Sequence, residues 1–164
     1  MNDTFYEQLV TRKTSAGNIV ARIAIIAALA LFLIFSTPLL GLFSIIITAV
    51  LAFGAYYFIF QKLNVEYEYT LLNYDMEIDV IYNKSKRQEL ISFDVRQSEI
   101  MAPKNSPRLN SCHPDKTLDF SSKDGTAFAL MIPINQKNTC IILEPDSKML
   151  TQMKSWMGTK LYMD

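Results

Sequence analysis

The chain has 164 residues, with 16 Lys and Arg balanced by 16 Asp and Glu, one His and two Cys. Zero net charge excludes a global basic field for nucleic acid, and two Cys exclude a disulfide-rich scaffold. Half the residues are apolar, and the 38-residue stretch from Ile23 to Phe60 carries no charge, which excludes an ordinary soluble domain and points to a membrane.

Residues 1–16 form the first segment. Thr4 and Glu7 have capping-box spacing, and Phe5, Tyr6, Leu9 and Val10 share one helical face. This predicts a short amphipathic helix lying on the membrane surface, with a frayed terminus as the alternative.

Residues 17–61 hold the uncharged stretch. As one helix it would run roughly 57 Å, against about 30 Å of bilayer hydrocarbon, so the chain must fold back. Ser36, Thr37 and Pro38 break the pattern and Gly41 follows. The expected product is a transmembrane hairpin with helices at about 18–36 and 39–60. Arg12, Lys13 and Arg22 precede it and Lys62 follows, while its turn is uncharged. Both termini are therefore expected in the cytoplasm, with the hairpin crossing the membrane twice. A cleaved signal peptide is the rival, but the leading region and the apolar run are both too long for one. The hairpin contains no Asp, Glu or His, and no Lys or Arg beyond Arg22, so no ion or proton path is expected. Ala21, Ala24, Ala27, Ala28, Ala49, Ala52, Gly54 and Ala55 let the two helices pack closely, or let the hairpin dock on another membrane protein. Tyr56, Tyr57 and Phe58 suit an interfacial end.

Residues 62–164 change to period two. Val65, Tyr67, Tyr69 and Leu71 alternate with Glu66, Glu68 and Thr70, and Met76, Ile78 and Val80 alternate with Glu77 and Asp79. Each run predicts a half-buried strand, separated by the turn Asn73-Tyr74-Asp75. A third strand is expected at 88–94 after Asn83-Lys84-Ser85-Lys86, and a shorter one at 96–101. The Pro-, Asn- and Ser-rich stretch 102–116 reads as a loop. Strands follow at 117–121, 127–134 and 139–144, divided by Lys123-Asp124-Gly125 and Gln136-Lys137-Asn138. Pro145 and Asp146 open a C-terminal helix at about 146–158.

Seven antiparallel strands closed by one terminal helix resemble the pleckstrin-homology superfold. The expected fold class is thus a two-helix membrane hairpin followed by a cytoplasmic PH-like domain. The stretches Glu66-Tyr67-Glu68-Tyr69-Thr70 and Lys84-Ser85-Lys86-Arg87 also resemble a family of small bacterial membrane proteins with this architecture. That resemblance implies an arrangement of parts and no set of catalytic residues. In lipid-binding PH domains the basic cluster sits in the first strand–strand loop; here that loop is Asn73-Tyr74-Asp75, which is not basic.

Candidate functional residues are few. Lys84, Lys86 and Arg87, with Arg96 nearby, form a basic tip suited to anionic lipid at about 1 kcal/mol per charge, or simply a turn that guards a sheet edge. Met149, Met153, Trp156 and Met157 share a helical face, as core or as a soft partner-binding groove. Glu66, Glu68, Glu77 and Asp79 would share one sheet face, suited to cations or a basic partner, or merely solvated. Cys112-His113-Pro114-Asp115 lacks the third and fourth ligands of a zinc site. A nucleophile–His–acid set would need His113 as base, and no nucleophile elbow accompanies it. Gly totals five, with no phosphate-binding glycine motif. The chain is therefore expected to be non-catalytic, without cofactor, metal or nucleic acid. It is expected to bind a protein partner at the membrane face, with homo-oligomerisation open. Peripheral recognition of anionic lipid and an accessory role in a transporter complex are the alternatives.

Overall fold

The computed structural model describes residues 5–60 and 64–163, which form two units. One is the helical hairpin, residues 14–65 with the turn 82–85. The other is a β-domain built from residues up to 13, 66–81 and 86 onward. Thr4 and Lys62, used in the sequence reading, lie outside the described residues.

In the hairpin, Ser15 caps α1 (Ala16–Leu40), its hydroxyl accepting from the Gly17 amide at 3.3 Å. The expected break at Ser36-Thr37-Pro38 does not occur there, because Pro38 lies inside α1. Proline deletes one ladder bond, and near the helix end little else is lost. The Thr37 hydroxyl donates to the Leu33 carbonyl at 2.6 Å, meeting an acceptor where water is absent. The chain turns three residues later, where Gly41 takes φ 56° and its amide closes on the Thr37 carbonyl at 2.9 Å. α2 (Phe43–Ala55) then continues through one π turn (Tyr56–Phe60). Ser44 is wholly buried between the helices, donating to the Gly41 carbonyl at 2.7 Å and lying 3.3 Å from the Thr37 hydroxyl. Such hydroxyl pairs clasp helices that no hydrophobic force drives together in lipid. At the other end of the hairpin, Arg22 donates to the Asn64 side chain at 2.7 Å. Both helices are long and apolar enough to cross a bilayer, and their outer surfaces are almost wholly exposed for lipid.

The β-domain has two four-stranded sheets. The first orders β1 (Phe5–Thr11), β2 (Val65–Leu72), β3 (Asp75–Tyr82) and β4 (Lys86–Asp94) in sequence. The second contains β5 (Ile100–Pro103), β6 (Lys116–Asp119), β7 (Phe128–Ile134) and β8 (Lys137–Leu143), in the order β5-β7-β8-β6. β6 runs parallel to β8, while β7 pairs antiparallel with both its neighbours.

The described residues thus hold eight strands rather than seven, and the extra one corrects the reading of the N-terminal segment. Residues 5–11 form a strand, not a surface helix. β1 lies antiparallel to β2, from Phe5 opposite Leu72 to Thr11 opposite Glu66. Tyr6, Gln8 and Val10 turn inward; Phe5 and Leu9 stay exposed. Seven residues satisfied both periods, and a partner more than 50 residues away chose the strand. The short strand expected at 96–101 begins only at Ile100. Asp94 accepts from the Arg96 amide at 2.9 Å and nucleates a 3-10 turn over Val95–Gln97 instead.

Tyr69, Leu71, Met76, Ile78, Leu130, Ile132, Ile141 and Leu143 fill the core between the sheets. α3 (Ser147–Met157) covers one end. Asp146 caps it on the Met149 amide at 2.8 Å, and Gly158, at φ 58°, ends it.

Candidate functional site

Two sheets of this kind have four outer edges, and each must be paired, covered or guarded. β1 is sealed against the entrance of α3. Gln8 donates to the Glu144 carbonyl and accepts from the Asp146 amide, both at 2.8 Å, and the Tyr6 hydroxyl donates to the Asp146 carboxylate. Burial pushes the Asp146 pKa up, but the Met149 amide and the Tyr6 hydroxyl outweigh it and leave the group below the usual range. β5 is met by the C-terminal segment: Leu161 bridges Met101, and the Tyr162 amide donates to the Met101 carbonyl at 2.8 Å.

Among the described residues β4 and β6 have no such cover. Each is the last strand of its sheet. Between them lies a groove of about 480 Å³ whose apolar walls are Leu90 and Ile91 from β4, Leu118 from β6, and Phe120 and Ile134 beside it. Among the described residues its charged lining residues are Lys116 and Lys137, with no carboxylate. The nearby Asp115 accepts from the Asn138 amide at 3.0 Å. The groove has apolar walls and is bordered by two strands that end their sheets, the features that strand-edge recognition uses. Sequence reasoning missed it. The strands were visible, but which of them end a sheet depends on pairing, and the parallel placement of β6 has no local signal.

The residues singled out by sequence are dispersed. Lys84 and Lys86 are exposed. Arg87 is not free for lipid, because it is ion-paired with both Glu68 and Asp79. Arg96 is likewise held by Asp94, with Nη2 2.6 Å from Oδ2, and its guanidinium lies 3.9 Å above the Tyr74 ring. Met149, Met153 and Met157 are core residues, whereas Trp156 stays half-buried, edge-on to Tyr74 at 5.2 Å.

The four acidic residues of β2 and β3 are not a solvated set. Glu68 and Asp79 are buried around Arg87, and Asp79 Oδ1 has no hydrogen-bond partner. Burial first, then the adjacent Glu7 carboxyl, raise the Glu68 pKa against the pull of Arg87. Glu77 is raised by burial, then by Asp79 and Glu89.

His113 is exposed and the two thiols are free; burial raises the Cys140 pKa. Among the described residues no cluster of three or more His, Cys, Asp or Glu side chains could hold a metal. A second cleft, also about 480 Å³, mixes Lys104 and Lys123 with Asp119 and Glu144. It is pinched where Gly125 meets Glu144, since a Cβ there would lie 2.9 Å from the carboxylate.

A family model described as "Bacterial PH-like domain (DUF6106)" matches residues 2–163. No curated protein and no solved structure matches the chain.

Proposed function

Because the chain belongs to the bacterial PH-like domain family, we propose that it is a membrane-anchored, non-catalytic module that binds a protein partner at the cytoplasmic face of the bacterial inner membrane. The observation that carries this reading is the groove between the unpaired edges of β4 and β6. Strand-edge recognition needs main-chain groups and apolar pockets rather than a reactive side chain, which suits a site without nucleophile or base. Orientation has its own support. β1 and β2 are neighbours in one sheet, yet the hairpin lies between them in sequence, which supports a hairpin with both ends on one side of the bilayer. Arg12, Lys13 and Arg22 favour the cytoplasmic side.

The test places a photo-reactive amino acid at Leu118 of the full chain in native membranes, with Ser155 on α3 as control. A discrete, saturable adduct from 118 but not 155, lost when Leu90→Asp is added, is the expected result. Equal labelling from both positions would remove the reading. A reporter fused to the C-terminus, active only in the cytoplasm, checks the orientation.

The exposed pair Lys84 and Lys86 favours the second reading, contact with anionic lipid. Its test is amide exchange at residues 83–87 of the full chain in nanodiscs. Protection seen only with anionic lipid, and lost in high salt, would support it.

A further inference from the structure

We propose that the occupant of the groove is an extended protein segment that enters as a strand between β4 and β6, with apolar side chains at alternate positions and acidic residues at one end. This rests on the partner-binding reading above and names the chemistry of the partner.

Three observations converge on it. The first is the pair of unpaired edges. β4 and β6 terminate different sheets, and both contribute walls to the same groove, so an inserted strand meets unpaired main-chain groups on either flank. The second is the lining. Leu90, Leu118, Phe120 and Ile134 form an apolar floor, which suits the one face that a strand presents with every second residue. The third is the placement of charge. Lys116 is the first residue of β6 and lies opposite Thr139, and Lys137 begins β8 two residues earlier. Because β6 and β8 are parallel, both ammonium groups stand at the same end of the groove. Among the described residues the charged side chains lining the groove are both lysines, while Asp115, next to Lys116, accepts from the Asn138 amide. The positive lining at this end favours a segment whose acidic residues sit there. β6 is four residues long, so the recognised core is short, about five residues at the rise of a strand.

The experiment uses the full chain in neutral-lipid nanodiscs and three labelled peptides of equal length. One carries two Asp before alternating Val and Thr, one carries two Lys in their place, and one has the acidic composition with the alternation scrambled. Fluorescence anisotropy is expected to show the acidic alternating peptide binding at least tenfold more tightly than either other. Amide exchange should slow at 88–91 and 116–119 in that complex. Lys116→Glu with Lys137→Glu should invert the preference toward the basic peptide, and Leu118→Asp should abolish both. Unchanged folding of each variant is read from Trp156 fluorescence. Equal binding of acidic and basic peptides, or no inversion in the double variant, overturns the inference. If peptides fail while residue 118 still crosslinks a partner, the strand-insertion chemistry is wrong and the partner reading stands. If the captured adduct is a second copy of this chain, the occupant is that copy and the inference falls. If residue 118 captures nothing, both fall.

Discussion

The two outer edges of the first sheet meet opposite fates. β1 is bolted to the entrance of α3 by Tyr6 and Gln8, and its inward Val10 is buried. β4, three strands away, ends its sheet beside an apolar groove, unpaired on its outer side among the described residues. Both are free edges by topology, and both carry the same hazard of pairing with foreign strands. One has been converted into structure and the other left available. The difference teaches where to look for stability and where to look for recognition: substitutions at the sealed edge should unfold the domain, and substitutions at the open edge should leave it folded but without a partner.

The largest effect is expected from Val10→Asp. An unpaired carboxylate would enter a site that is 7% exposed, costing at least ~3 kcal/mol. The chain's single tryptophan, Trp156, lies in the β-domain, so its emission should report unfolding there while the hairpin stays helical. If the Trp156 transition were unmoved, β1 would be an ornament rather than a closure.

Gln8→Ala comes next, at about 2 kcal/mol. It strips a partner from the Glu144 carbonyl and from the Asp146 amide, both partly buried. Gln8→Glu should fare little better, because its carboxylate replaces the donor that Glu144 requires. Urea titration followed by Trp156 measures both.

Arg87→Met tests how β4 is tied to the inner strands through Glu68 of β2 and Asp79 of β3, at about 1–2 kcal/mol near neutral pH once water at the half-exposed guanidinium is allowed for. It leaves Glu68 and Asp79 buried without their cation. The pH dependence has a definite sign. Glu68 and Glu77 titrate above their ordinary value in the folded chain, so the native state holds more protons than the unfolded one across that window. Stability therefore rises as pH falls through their raised values toward the ordinary carboxylate range. Asp94, Asp119 and Asp146 titrate below their ordinary value; their contribution is present above about pH 4 and is lost as pH falls through the lowered values. Thermal midpoints should peak in weak acid, and the Arg87→Met deficit should shrink there. A midpoint that climbs steadily from pH 5 to 8 would contradict the assignment.

The smallest effect on stability belongs to the open edge. Leu118→Ser removes a half-buried side chain and should cost under about 1 kcal/mol, while binding of the acidic alternating peptide disappears. Loss of folding with Leu118→Ser would show that the groove is core and not a surface for a partner.

Much of the fold was legible because it was written locally. The uncharged stretch, the alternation of Val65–Leu71 and Met76–Val80, and the Asp146 cap each carry their signal within a few residues. What escaped is what depends on distant partners. The segment Phe5–Thr11 is compatible with helix and strand alike until β2 is placed beside it. Pro38 looked like the hairpin turn, but a proline near a helix end removes little, and Gly41 supplies the conformation the turn requires. The basic tip was legible as residues and illegible as a site: nothing in Lys84-Ser85-Lys86-Arg87 says that Arg87 is claimed by two carboxylates from other strands. The groove had no signature at all, since β6 reaches its place by a parallel pairing that only the assembled sheet reveals.

The order of parts along the chain has a consequence for biogenesis. β1 is made before the hairpin, yet its sheet neighbour β2 comes only after it, and Tyr6 bonds a residue 140 positions later. The sealed edge therefore cannot close until the hairpin and the residues beyond it have been synthesised. A chain arrested within the hairpin holds β1 as an unmet edge in an unfinished domain that is open to proteolysis. The architecture makes a complete hairpin a precondition for a finished β-domain.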